Sequence, residues 1–178
     1  MSNQRITLGG GCFWCLDSIF RQLNGVSSVT SGYQGGERSN PSYEQICSGA
    51  TGHAEVVRVE FDDAVISLTT ILEVFFTVHD PTTLNRQGAD VGSQYRSIIF
   101  YQTPQQQQLA EQMMADLEQQ GRWPDSIVTE LQQDKDFYSA EDYHQDYFEQ
   151  NPGNRYCQLV VAPKIAKFFK QRRDLLKG

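Results

Sequence analysis

The sequence predicts an α+β fold, a two-layer sandwich of helices on a mixed β-sheet. Three observations predict it. Segments of alternating apolar residues and segments of helical spacing follow one another irregularly along the 178 residues. No repeat, linker or composition break divides them. The chain is long enough for a sizeable core, and 39% hydrophobic with 21% charged residues is an ordinary globular composition.

The elements follow in order. Residues 5–8 form a short strand, and 12–23 place Phe13, Leu16, Phe20 and Leu23 at helical spacing. Residues 26–33 are extended. "HAEVVRVEF" at 53–61 alternates as a strand with Val57, Val59 and Phe61 inward. Residues 67–79 make an amphipathic helix through Leu68, Ile71, Leu72 and Phe75. "RSIIFY" at 96–101 is a strand. A helix over 104–120 presents Leu109, Met113 and Leu117 on one face, and its "QQQQ" at 105–108 is solvated. A short strand near 127–131, a helix at 140–149, a strand "YCQLVV" at 156–161 and a basic helix at 163–177 complete the chain. The expectation is a single domain over 1–178 with a ferredoxin-like core. Two long polar loops, 32–52 and 80–95, are where a site is built.

The net charge of −7 argues against a nucleic-acid partner. No run approaches the roughly 18 apolar residues of a membrane span, and "MSNQRITLGG" lacks the apolar centre of a signal peptide. A cytoplasmic location without a membrane partner is expected. Six of the fifteen basic residues fall in the last fifteen positions, from Lys164 to Lys177, and read as the solvated face of the last helix.

Chemistry concentrates in "GGGCFWCLDSIF", residues 9–20. Three glycines let the backbone turn sharply and approach a ligand. A helix beginning near Cys12 points free N–H groups at its sulfur and favours the thiolate. An unperturbed thiol is only ~3% ionised at pH 7, and a helix end supplies ~0.3–1 kcal/mol, so the helix helps without sufficing. Cys12 and Cys15 also form C-x-x-C, which raises two rivals. One is a general thiol–disulfide oxidoreductase. The other is a zinc-stapled binding module completed by Cys157 and His53 or His144, weakened by the lack of a second paired motif.

"GCFW" at 11–14, "SGYQGG" at 31–36, "NPSYEQICSGATGHAEVV" at 40–57, "HDPTTLNRQGADVGSQYRS" at 79–97, "AEDYHQDY" at 140–147 and "NPGNRYC" at 151–157 together resemble the A-type peptide methionine sulfoxide reductases. The resemblance runs in order from about residue 6 to 160. It implies reduction of methionine S-sulfoxide, free and in proteins, through a cysteine sulfenic acid. The resulting disulfide is recycled by thioredoxin, with no metal and no organic cofactor. It makes Cys12 the nucleophile and Cys157 the resolving cysteine, with Cys15 as rival resolver by its spacing. Phe13 and Trp14 become the slot for the S-methyl group, Phe13 also lying on the apolar helix stripe. Tyr33 and Tyr95 bind the sulfoxide oxygen, and Asp90 is an orienting acceptor. Gln45 takes the place of a family glutamate, which leaves the proton source open, the nearest acid being Glu44. Glu55 on the inward strand face, His53 and His144 read as structural hydrogen-bonding groups, Cys47 as a buried thiol, and Asp17 as a smaller departure from a family glutamate.

Overall fold

The protein is described from a computed structural model covering residues 3–36, 39–48, 51–88, 90–151 and 153–176. Strands β1 (Asn3–Gly9), β2 (Val26–Gln34), β3 (Ala54–Asp62) and β6 (Ile98–Tyr101) form the centre of a six-stranded sheet, with β7 (Glu130–Gln133) and β8 (Phe137–Ser139) at its edges, in the order β7-β6-β1-β3-β2-β8. The β1–β3, β2–β3, β1–β6 and β2–β8 pairs are antiparallel, and only β6–β7 is parallel. Helices α1 (Phe13–Arg21) and α3 (Leu68–Val78) make the two crossovers. This is a mixed α/β fold with one mixed sheet.

The alternation in β3 explains the layers. Val57, Val59 and Phe61 pack with Ile6, Leu8 and Ile99 against Leu16, Phe20, Ile71 and Phe75. Ala54 and Val56 face the other way, forming a small cluster with Ile98 and Phe100 beneath Phe137. Each fully buried Leu, Ile or Phe contributes about 1.5–3 kcal/mol. Helices α4 (Pro104–Gln119) and α6 (Ala162–Gln171) complete the helical side. Among the described residues no helix is long and apolar enough to cross a membrane.

Several sequence expectations need correction. "YCQLVV" is helical: Asn154 Oδ1 accepts the Cys157 N–H at 3.1 Å, an N-cap three residues ahead, and Cys157–Val161 winds as a π-turn into α6. Pro163 has no N–H for the Leu159 carbonyl, which fits the wider turn before it. The Val160–Val161 pair imitates a strand. The helix expected at 140–149 is a 3₁₀ turn at Asp142–His144 and one turn of helix, α5 (Tyr147–Gln150), separated by Asp146 at φ 55°. The loop at 32–52 holds α2 (Tyr43–Cys47), and that at 80–95 holds the two-residue strands β4 (Arg86–Gln87) and β5 (Asp90–Val91) and a 3₁₀ turn at Ser93–Tyr95. Strand β7 (Glu130–Gln133) starts later than expected, and β8 (Phe137–Ser139) carries no periodic signal. The last helix ends at Gln171, with a 3₁₀ turn at Arg173–Leu175.

A buried carboxylate fixes α1 to its surroundings. Asp17 accepts from Arg21 Nε at 2.9 Å, from Ser31 Oγ on β2 at 2.7 Å and from the Asp146 N–H at 3.3 Å. Asp17→Ala should therefore lower the unfolding free energy by about 2–4 kcal/mol, because the Arg21 and Ser31 groups lose their acceptor. Urea titration with and without the substitution measures it. A loss under about 0.5 kcal/mol would place this network among those that add nothing to stability.

Candidate active site

The glycine run leads from β1 to the start of α1. A Cβ on Gly10 would lie 2.8 Å from the His79 ring, and Gly11 sits at φ +89°. His79 caps the end of α3, held by the Phe75 carbonyl at 2.5 Å and Ser97 Oγ at 2.7 Å. Burial lowers it to about 4, so it is a neutral support beneath the loop.

Cys12 is the N-cap of α1 and is half-exposed. Its thiol is raised well above the ordinary value, first by desolvation and then by Glu55, with Cys15 and Asp90 adding to the rise. The Trp14 N–H pulls the other way, but makes no full capping hydrogen bond. The helix start thus acts as expected and is outweighed.

Glu55 decides the electrostatics. It lies on β3 with 1% exposure. Its Oε1 accepts the Phe13 N–H at 3.2 Å, and its Oε2 has no hydrogen-bond partner among the described residues. Burial pushes the carboxyl up to about 8; the Phe13 N–H lowers it and Asp90 raises it. A carboxyl near neutral, with an unpartnered oxygen beside a cysteine, is equipped to carry a proton. From sequence Glu55 reads as a structural hydrogen-bonding group ahead of a catalytic one. The usable signal is its inward parity on β3.

Of the two phenols expected around this pair, Tyr95 is there, and Tyr43 joins it. Tyr95 ends the 3₁₀ turn, and its hydroxyl is raised by burial and then by Glu55, Asp90 and Cys12. Tyr43 on α2 is raised by burial, Glu55, Cys47 and Cys12. Tyr33 is fully buried, and its O–H donates to Glu141 Oε1 at 3.0 Å. Glu141 Oε2 accepts the Tyr43 N–H at 3.0 Å, so Tyr33 supports α2 through Glu141. Tyr43 stands in the "NPSYEQ" block, where the sequence draws attention to its neighbours Glu44 and Gln45 instead.

Gln45 is a helix-capping residue. Its Oε1 accepts the Ser42 N–H at 3.0 Å while Ser42 Oγ accepts the Gln45 N–H at 3.2 Å, a capping box at the start of α2. Asp90 accepts a short hydrogen bond from the O–H of Tyr156. Tyr156, another residue missed from sequence, has its own hydroxyl raised by burial and by Cys12.

Phe13 is fully buried against Tyr33, Tyr43 and His144, so its ring offers no open face for a substrate. Trp14 is the accessible ring of the two. It stacks on Tyr147 at 3.9 Å, and its indole N–H donates to His144 Nδ1 at 3.0 Å. His53 Nδ1 accepts the Gly36 N–H at 3.0 Å. Cys15 and Cys157 are buried; Cys47 is exposed, contrary to the buried thiol expected. Among the described residues no three His, Cys, Asp or Glu side chains form a cluster able to hold a metal.

A half-exposed thiol with a buried carboxyl near neutral and two phenols about it is a site suited to thiol chemistry. Residues 4–175 match the family described as peptide methionine sulfoxide reductase. "Peptide methionine sulfoxide reductase MsrA" of Polynucleobacter asymbioticus is 51% identical over 173 residues, covering 97% of this chain and 91% of the relative. Mxr1 from Saccharomyces cerevisiae in reduced form is 37% identical with a TM-score of 0.80, over 85% of this chain and 87% of that one. The same yeast protein in complex with Trx2 aligns at 26% identity and TM-score 0.58, over 82% of this chain and 84% of that one. The chain belongs to the peptide methionine sulfoxide reductase family and is a methionine sulfoxide reductase.

Glu55 also makes stability depend on pH. Unfolded, a glutamate titrates near about 4.3; folded, this one titrates at about 8. Between those values only the folded state holds the proton, so folding stability falls as pH rises. Glu55→Gln keeps an acceptor for Phe13 and removes the titration. Its stability relative to the parent protein should be highest near about pH 8 and decline toward about pH 4. Urea titrations across that range test it, and a constant difference would mean that Glu55 ionises at its ordinary value.

Proposed function

We propose that the protein reduces the S epimer of methionine sulfoxide, free and in proteins, through a sulfenic acid on Cys12. The observation that carries this reading is the Glu55 carboxyl, raised to about 8 and bonded to the N–H of Phe13, the residue after Cys12. Sulfoxide sulfur is a poor electrophile until its oxygen gains a proton. Glu55 supplies that proton, while Tyr43 and Tyr95 donate hydrogen bonds to the oxygen as charge develops on it. Trp14 gives the S-methyl group an apolar surface.

The balance closes. Cys12 sulfur bonds to the substrate sulfur, the S–O bond breaks, and the hydroxyl passes to Cys12 as methionine leaves. The proton lost by Cys12 equals the one gained by oxygen, with Glu55 as carrier. The raised thiol means that Cys12 is a thiol at rest and loses its proton only as its sulfur bonds to the substrate sulfur. A second cysteine then converts the sulfenic acid to a disulfide, which thioredoxin reduces. The yeast Mxr1 complex with Trx2 supports that partner. Four unpaired cysteines fit a reducing compartment such as the cytoplasm. The order β6-β1-β3-β2 with crossovers α1 and α3 supports reading the core as ferredoxin-like.

Cys12→Ser should abolish reduction even with excess dithiothreitol, since a hydroxyl is far less nucleophilic. Glu55→Gln should slow first-turnover methionine release by about 10²–10³, and Tyr43→Phe and Tyr95→Phe each by at least about tenfold. Gln45→Ala and Tyr33→Phe should stay within about threefold, since both act at a distance through α2. In the parent protein the rate should fall as pH rises through about 8, where Glu55 loses its proton. Rapid-quench measurement at saturating substrate decides it. A Glu55→Gln rate within tenfold of the parent, or a Gln45→Ala loss as large as that of Glu55→Gln, would return the proton to another group.

A further inference from the structure

We propose that Cys15, rather than the family-matched Cys157, resolves the Cys12 sulfenic acid, so that the enzyme cycles through a disulfide closed within the first turn of α1. The proposal rests on the reductase reading above and concerns only its second half.

The register of the helix carries it. Cys12 is the N-cap and Cys15 the third helical residue, and the Cys15 N–H donates to the Cys12 carbonyl at 3.3 Å. That hydrogen bond closes a four-residue turn, which holds the two Cα atoms within about 7 Å. A disulfide needs Cα atoms about 4.4–6.8 Å and Cβ atoms about 3.5–4.5 Å apart, so a small side-chain and backbone adjustment closes the bond. Cys15 also bears electrostatically on the Cys12 sulfur. The pair combines a half-exposed first thiol with a buried second one.

Cys157 is placed differently. It is fully buried in the helical core cluster, and its N–H is held by Asn154 Oδ1. Its predecessor Tyr156 is tied to Asp90 and lies edge-on to Trp14 at 5.8 Å. Bringing Cys157 to Cys12 through a turn of this helix means unwinding the Asn154 cap and breaking the Tyr156–Asp90 bond. Cys15 needs neither.

The chemistry balances. The Cys15 S–H attacks the Cys12 sulfur, the S–OH bond breaks as the S–S bond forms, and the hydroxyl leaves as water with the Cys15 proton. Burial holds the Cys15 thiol up at about 11 and Lys164 pulls it down, so it keeps its proton until that step. A dithiol reductant then attacks the half-exposed Cys12 sulfur. Cys15 departs as thiolate toward the Lys164 ammonium, and the reductant leaves oxidised to its own disulfide.

The test begins with one equivalent of methionine sulfoxide per chain and no reductant, followed by tryptic mass spectrometry. Cys12 and Cys15 lie in one peptide, residues 6–21, and Cys157 in another, residues 156–164. The expected product is the 6–21 peptide lighter by two hydrogen masses. Cys15→Ser should still release one methionine, retain a sulfenic acid that dimedone traps, and lose at least about tenfold in thioredoxin-driven turnover. Cys157→Ser and Cys47→Ser should cycle within about threefold of the parent. A 6–21 peptide cross-linked to 156–164, or Cys15→Ser cycling normally, would overturn the proposal. Failure of the parent protein to release methionine at all would instead strike the reductase reading, which separates the two.

Discussion

Everything at the site depends on one buried bond, from the Phe13 N–H to Glu55 Oε1. It joins β3 to the first turn of α1 across the mouth of the sheet. It satisfies one of the orphan N–H groups at the helix start, which Cys12, having no hydroxyl or carboxylate, does not cap. The arrangement is costly, because a carboxyl with 1% exposure and an unpartnered oxygen resists ionisation. That cost is visible as the rise to about 8. A stability optimum would replace the acid, and the proposed proton chemistry requires it.

A second tier holds the first in place. Glu141 links Tyr33 on β2 to the backbone of Tyr43 on α2. His144 receives the Trp14 indole, and Asp17 ties α1 to β2 and to the backbone before α5. Asp90 joins Tyr156 to the loop before β6. Each link spans elements distant in the chain, so the Cys12 surroundings are tied together even though α2, α5 and the 3₁₀ turns are short.

The sheet strands and long helices were legible because burial follows their periods. Val57, Val59 and Phe61 face the core at a spacing of two, and Ile71, Leu72 and Phe75 at helical spacing. Elements built without such a period were not. β8 exists because Phe137–Ser139 pairs with the edge of β2, and α2 because Ser42 and Gln45 cap each other. The Cys157 segment misleads because two valines outweigh the Asn154 cap.

The sequence by itself determined where the proposed nucleophile stands. Glycines, a cysteine and a helical stripe placed a thiol at a helix start, since local backbone geometry is written in neighbouring residues. Only the tertiary structure decided which acid and which phenol stand beside it. Glu55 meets Phe13 across 42 positions of chain. Tyr43 takes the place expected of Tyr33, because the O–H of Tyr33 is spent on Glu141. Gln45, two residues beyond Tyr43, spends its amide oxygen on a cap. A pKa near neutral comes from desolvation, and desolvation is a property of everything packed around a group rather than of its place in the chain.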